Sequence, residues 1–358
     1  MRNDGRMKRV ARAVRGRWRG WTRWRRAVTV LGLVSGLLVV VCGIGTGALW
    51  AEGVGEPAAG VRGSGHDAYW LGHAWVDGRK SDADVGALAK QLSGSGIRDL
   101  YVHTGPLSDD GRLPSALSPR AAWFVAAVHR MLPGVRVQSW LGDLVAPAHD
   151  ALHLEDPATR DRIVASAAQV LDLGFDGVHY DLEPVRSGSP DYLTLLERTR
   201  AVTTARHAVL SVSAPQLDPL PGLHHLGVAL TGDGKYWAQG YFAAVAQRVD
   251  QVAVMSYDTW MPTASLYSGY LTEQTILALE VTPPAVDLLM GVPVFWADDY
   301  GHHGNAETVA AAVHGIRLGL GRTAPGRRAF GVALYVDFTA TQQNWADYRR
   351  EWCGPGTR

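Results

Sequence analysis

The segment Asp176-Gly-Val-His179-Tyr-Asp181-Leu-Glu183-Pro184 sets three ionisable side chains two residues apart at the end of an apolar run. In an extended strand, side chains at i, i+2 and i+4 face the same way. His179, Asp181 and Glu183 therefore share one face, and Tyr180 and Leu182 the other. Three such groups converging in an interior are costly unless they have partners or a task. Neighbouring carboxylates oppose each other's ionisation, which pushes one pKa upward. An acid kept protonated near neutral pH is what the leaving oxygen of a glycosidic bond requires. Glu183, outermost on the strand, is the expected acid. The plainer alternative is a polar network that only holds strands together; a row of three at a strand end favours chemistry.

This row must be held by a scaffold, and the surrounding pattern specifies one. Eight short apolar runs, bounded by Gly, Pro or Asp, read as strands: 68–75, 97–103, 135–141, 177–183, 208–214, 251–258, 287–295 and 331–338. Helical patterns lie between them, at 119–132, 156–174, 192–202, 236–248 and 306–320. The clearest starts at Asp156-Pro157 and keeps Ile163, Ala167, Val170 and Leu171 on one face. Eight strands alternating with helices over residues 66–352 predict an α/β fold, a (β/α)8 TIM barrel. A doubly wound open sheet would carry a Gly-rich loop after its first strand, where His73-Ala-Trp-Val-Asp77 stands instead. In a barrel, the active site gathers at the C-terminal strand ends. Besides the fourth strand, those ends offer Asp143 on the third, Tyr257 and Asp258 on the sixth, Trp296, Asp298 and Asp299 after the seventh, and Tyr335 on the eighth.

The fourth-strand row resembles the signature of glycoside hydrolase family 18, the chitinase-like enzymes, which reads Asp-x-x-Asp-x-Asp-x-Glu. Asp176, Asp181 and Glu183 occupy its first, third and fourth positions. Met255-Ser-Tyr257-Asp258 is similar to that family's Met-x-Tyr-Asp motif and falls on the same strand, the sixth. Ser139-Trp-Leu-Gly142 on the third strand is a looser match. The resemblance implies substrate-assisted, retaining hydrolysis of an N-acetylated amino-sugar polymer. Glu183 would be the acid and then the base, Asp181 would orient the sugar's acetamido group, and Tyr257 would hydrogen-bond it. Asp258 would bind sugar, with His179, Asp176, Asp143, Tyr335 and Trp296 as further contacts; no cofactor is implied. Two departures stand out. The second signature Asp is His179, and the last strand carries Tyr335 where a Trp commonly floors the site.

Two other functions remain open at this stage. One is a carbohydrate-binding protein without turnover, favoured by His179. The other is a glycosidase with two carboxylates, Glu183 with Asp143 or Asp258, in which carboxyl separation would set the stereochemistry. A metal centre built from His73, His103 and His179 with Asp143 and Asp181 lacks closely spaced ligand pairs; His224-His225 and His302-His303 fall in loops. Trp140, Trp260 and Trp296 serve equally as sugar platforms or packing.

The formal net charge of +1 conceals an asymmetry. Residues 1–26 hold eleven Lys or Arg and one Asp, leaving 24 basic and 33 acidic residues in the remainder. Nucleic-acid binding by that acidic remainder is therefore not expected. Residues 27–50 form an uncharged run long enough, at roughly 1.5 Å per residue, to cross a bilayer. The Arg-rich flank predicts a cytoplasmic segment 1–26 and a single-pass signal anchor 27–50, or else a cleaved signal peptide. A flexible linker, 51–65, would follow, then the barrel domain, 66–352, outside the membrane, and a tail, 353–358. Cys42 and Cys353 lie in different segments and predict no disulfide.

Overall fold

The computed structural model describes residues 4–147, 150–225, 228 and 234–353, except for the side chains of 4–22, 26, 38, 39, 41 and 42. The outermost basic residues and the tail beyond Cys353 thus lie outside the described residues. The chain divides into two compact units, 1–51 and 52–358. The first is the helix α1 (Asp4–Glu52). Its apolar side chains, among them Leu31, Leu33, Leu37 and Ile44, are exposed. Among the described residues no helix is long and apolar enough to cross a membrane.

The second unit contains a closed barrel of eight parallel strands. They are β1 (Asp67–Leu71), β2 (Ile97–Pro106), β3 (Arg136–Leu144), β4 (Gly177–Glu183), β5 (Val209–Ala214), β6 (Gln251–Val254), β7 (Asp287–Pro293) and β8 (Phe330–Tyr335). Each pairs with its neighbours in sequence, and β8 closes on β1 through Ala68 opposite Ala333. All eight predicted strands are present, so the barrel expectation holds. Outside α1, the described helices are α2 (Asp82–Leu92), α3 (Ala121–Met131), α4 (Pro157–Asp172), α5 (Pro190–Ala205), α6 (Gln239–Ala246), α7 (Ala264–Val281), α8 (Val309–Thr323) and α9 (Gln342–Tyr348). α4 starts where Asp156 predicts, its carboxylate accepting from the N–H groups of Ala158 and Thr159 at 3.0 and 3.3 Å.

Three boundaries differ from the pattern-based reading. The first strand stops at Leu71, and His73–Trp75 form a 3-10 turn, because Gly72 N–H bonds the Asp337 carboxylate instead of the ladder. The sixth strand stops at Val254, so Met255–Asp258 lie in the loop beyond it. Residues 236–237 are not helical but pair with Gln216–Leu217 as a small separate ladder. α7 and α8 pack backbone to backbone: a Cβ on Gly315 would stand 2.2 Å from the Ser268 carbonyl oxygen.

Small and large residues alternate inside the barrel. Ala68, Ala253 and Ala333 leave room for Trp70, Tyr101 and Leu289, with Trp140 and Tyr335 packed above them. These residues pack around the buried polar residues His179, Gln138, Ser211 and Gln251, beneath the C-terminal strand ends.

Candidate active site

Register fixes which residues face the lumen. Opposite His179 and Asp181 on β4 stand Trp140 and Gly142 on β3, all on the inward face. Asp143 pairs with Leu182, so it belongs to the outward face. There its Oδ1 accepts from the Leu144 N–H at 2.8 Å, and burial raises its pKa. Asp143 does not join Glu183, which removes the geometry needed for that two-carboxylate pair. Asp176 lies just before the start of β4, seven residues or roughly 20 Å from Glu183. Its Oδ2 accepts from Val137 N–H at 2.7 Å and lies 2.8 Å from His129 Nε2. Asp176 is therefore a clamp at the far end of the barrel and no substrate contact.

His179 is fully buried and its protonation is fixed by two partners. Trp70 Nε1–H donates to its Nε2 at 3.2 Å, and an indole nitrogen can only donate. Its Nδ1 lies 2.7 Å from Ser211 Oγ, whose own proton goes to Gln138 Oε1 at 2.7 Å. Gln138 can only accept there, because its amide nitrogen donates to Asp99 and to Gln251 at 2.8 and 3.0 Å. Nδ1 therefore carries the hydrogen and the ring is neutral. Burial agrees, holding the imidazole pKa down at about 3. The ring also stacks on Tyr101, 3.8 Å between centroids and 5° from parallel.

The network continues to the barrel floor. Gln251 Nε2 donates to Asp99 at 3.1 Å, and Arg136 grips both Asp99 oxygens at 2.7 Å each. Burial would raise the pKa of Asp99, but the Arg136 bonds and charge outweigh it and keep it ionised. With both ring nitrogens of His179 taken by this network, the metal centre considered from sequence has no ligand there. His73 and His103 lie edge to face, their ring centroids 5.6 Å apart.

Above His179, Asp181 Oδ2 accepts from Trp140 Nε1–H at 2.9 Å, while Oδ1 is buried and without a formal donor. The next ionisable group along the same face is the Glu183 carboxyl, which can donate only when protonated. Desolvation within the barrel mouth and then the Asp181 charge push the Glu183 pKa well above its ordinary value. Desolvation also raises Asp181, against hydrogen bonds from Glu183, Ser213 and Trp140. Of the two carboxyls Glu183 is the one pushed well above its ordinary value, and its side chain remains open to solvent at the mouth.

Tyr257 completes the group from the opposite wall. It is buried, stacks on Tyr335 at 5.2 Å, and has its pKa raised by burial and then by Tyr335, Asp181, Glu183 and Asp258. Tyr335 packs edge-on to Trp70 and Trp140, so these three aromatics form the floor. Asp258 is half exposed with its carboxylate 3.0 Å from His302 Nδ1. Trp296 and Trp260 are exposed on the loops after β7 and β6; Lys235 Nζ stands 3.4 Å above the Trp260 ring. Asp299 shapes its own loop by accepting from Gly301 and His302 N–H at 2.7 and 2.9 Å.

Glu183, Asp181, Tyr257, Asp258, His179 and Tyr335 thus converge, Trp296 stands exposed on the loop after β7, and Asp143 and Asp176 do not join them. Sequence reasoning missed Trp70, Tyr101, Gln138, Ser211, Ser213 and Gln251. Tyr101, Gln138, Ser211 and Ser213 were signalled by polar or aromatic residues at every second position of β2, β3 and β5, whereas Trp70 and Gln251 stand singly on β1 and β6. It missed Lys235 and Glu307, and weighed His302 only as a metal ligand, because loop residues carry no periodicity.

No family model matches the sequence, and no curated protein matches it. Solved structures match in fold. A chitinase from Chromobacterium violaceum superposes with a TM-score of 0.55 at 14% identity, over 80% of this chain and 98% of that one. The spore cortex-lytic enzyme SleL of Bacillus megaterium gives 0.55 at 12% identity, over 81% and 75%. The family 18 chitinase ChiB of Flavobacterium johnsoniae gives 0.50 at 13%, over 79% and 93%. The chain is a chitinase-like TIM barrel in its fold, as the fourth- and sixth-strand motifs imply.

Proposed function

We propose that this protein hydrolyses glycosidic bonds in an N-acetylated amino-sugar polymer by substrate-assisted, retaining catalysis. The observation that carries the reading is the Glu183 carboxyl, its pKa held well above the ordinary value by burial and by Asp181, next on the strand face to the Asp181 carboxyl that Trp140 Nε1–H holds at 2.9 Å. Glu183 gives its proton to the leaving oxygen as the anomeric C–O bond breaks. The sugar's acetamido oxygen forms a bond to the anomeric carbon. Asp181 Oδ1, the buried oxygen without a formal donor, accepts the acetamido N–H and stabilises the positive charge that develops there. Tyr257 bonds the same group from across the mouth. The Glu183 carboxylate then takes a proton from the water that opens the intermediate. No cofactor enters this scheme.

The fold shared with chitinases and with a spore cortex-lytic enzyme supports a polysaccharide substrate, and peptidoglycan-related or secreted polymers fit the remaining inference from sequence. That inference is an extracytoplasmic barrel, tethered through residues 27–50 with the Arg-rich segment in the cytoplasm, or released if this segment is cleaved. The uncharged run and the unpacked apolar side chains of α1 support it.

The test compares wild type with Glu183→Gln for new reducing ends on N-acetylglucosamine oligomers and on their de-N-acetylated counterparts. Turnover confined to acetylated oligomers, and lost in the variant, is expected. Binding without turnover in the wild type would establish a carbohydrate-binding protein instead.

A further inference from the structure

The loops after β6 and β7 are joined by four charged groups that the catalytic scheme leaves unused. Glu307 is buried, and its Oε1 accepts from both Thr259 N–H and Thr259 Oγ1–H, at 2.9 and 3.0 Å. Its Oε2 has no hydrogen-bond donor and lies 3.3 Å from His302 Nδ1. The same Nδ1 lies 3.0 Å from Asp258 Oδ1. His302 is buried against Phe295, 4.4 Å between ring centroids. From the segment before α6, Lys235 Nζ–H donates to the Asp258 carbonyl oxygen at 3.0 Å and covers the Trp260 ring. Trp260 N–H in turn donates to the Gly301 carbonyl at 3.1 Å.

Two carboxylates converging on one buried imidazole need positive charge. Burial alone would lower the His302 pKa, but the Asp258 and Glu307 carboxylates beside it outweigh this and hold it at about 9. Lys235 is lowered by burial to about 8 and attracted by Glu307 and Asp258. Tyr267 and Tyr270 also face this cluster, and both stay neutral because burial raises them. At neutral pH Lys235 and His302 balance Asp258 and Glu307. The balance matters because Asp258 has a left-handed backbone, φ 55°, and directly follows Tyr257. An unheld residue in that conformation would relax towards negative φ and swing its carboxylate away.

We propose that Glu307 is a positioning residue, which through His302 holds Asp258 in place for a sugar hydroxyl beside Tyr257. The proposal rests on the functional reading above and adds a buried clamp, drawn from the seventh loop, that sets substrate affinity. A divalent cation at Asp258, His302 and Glu307 is the competing reading of the same three ligands. The presence of Lys235 favours the proton-charged cluster, since a cation beside Lys235 would carry the site past neutrality.

The experiment uses the full chain in detergent with 13C-labelled histidine, as wild type and as Glu307→Gln. The variant keeps an oxygen for Thr259 and removes only the charge. His302 should titrate near pH 9 in the wild type and fall towards an ordinary imidazole value in the variant. KM for N-acetylglucosamine oligomers should rise about tenfold while kcat changes less than threefold. His302→Gln should give the same split. An ordinary His302 titration in the wild type, or a shifted titration with unchanged KM, overturns the proposal. So does stoichiometric binding of added Zn2+ with loss of the His302 proton, which would make the cluster a metal site. If the wild type neither binds nor cleaves oligomers, the functional reading fails and the sugar role of Asp258 with it. The His302 titration separates that failure from failure of the clamp.

Discussion

The indole N–H of Trp70 points at Nε2 of His179 across 3.2 Å, from the first strand of the barrel to the fourth. It turns the position where related signatures carry an acid into a neutral hydrogen-bonding hub. Asp181 is consequently held from the side by the Trp140 N–H, and no second acid stands below it.

His179 should therefore remain neutral, with its hydrogen on Nδ1, at every pH where the protein stays folded. 15N shifts of the imidazole between pH 4.5 and 8 check this; a charge change in that range would refute the assignment. His179→Ala removes a ring stacked on Tyr101, leaves Trp70 Nε1–H without its acceptor and takes one donor from Ser211 Oγ. A loss of about 3 kcal/mol in urea unfolding is expected.

Trp140→Phe keeps the aromatic floor but takes the 2.9 Å donor from Asp181. A hydrogen bond to a charged group contributes about 1.5–3 kcal/mol, so kcat/KM on acetylated oligomers should fall about 10- to 100-fold. Far-ultraviolet circular dichroism should show an unchanged fold. An unaltered rate would mean that Asp181 does not act through this geometry.

Glu183 should set the alkaline limb of the kcat/KM profile, because only its protonated form can donate to the leaving oxygen. Its pKa is raised by burial and then by Asp181. Removing that charge in Asp181→Asn should lower the Glu183 pKa and move the limb to lower pH, alongside a large drop in rate. Glu183→Gln should reduce turnover by about a thousandfold while oligomers still bind, as calorimetry would show.

Asp67, at the opposite end of the barrel, gives a stability signature free of the active site. It accepts from Val332 N–H, Trp352 Nε1–H and Tyr348 O–H, yet burial raises its pKa to about 7. An acid whose folded pKa exceeds its unfolded value binds more protons in the native state. Its contribution is thus fully present below the unfolded value of 3.8 and declines until pH passes 7. At ~1.4 kcal/mol per pH unit the decline is of the order of 4 kcal/mol. Subtracting the unfolding free energies of Asp67→Asn from those of wild type, from pH 4 to 8, should show a difference that falls with that slope. A flat difference would place Asp67 at its ordinary value.

The sequence by itself determined the barrel and the row on its fourth strand. Hydrophobic periodicity and turn residues are local, and a two-residue period obliges His179, Asp181 and Glu183 to share a face wherever the strand goes. The pairing of that row with Tyr257 was legible only through resemblance, and the tertiary structure turned it into a shared set of charges. Which neighbours face the row was decided by register, a relation between strands. One residue of parity sends Asp143 outward with Leu182 while Trp140 and Gly142 point in with His179 and Asp181. The end of the ladder at Val254 likewise freed Met255–Asp258 from the strand, so that the Asp258 carboxylate meets His302 on another loop. Protonation belongs to the same class. Whether His179 is neutral and Glu183 holds a proton depends on burial and on donors up to 109 residues away, and neither is visible until the barrel closes.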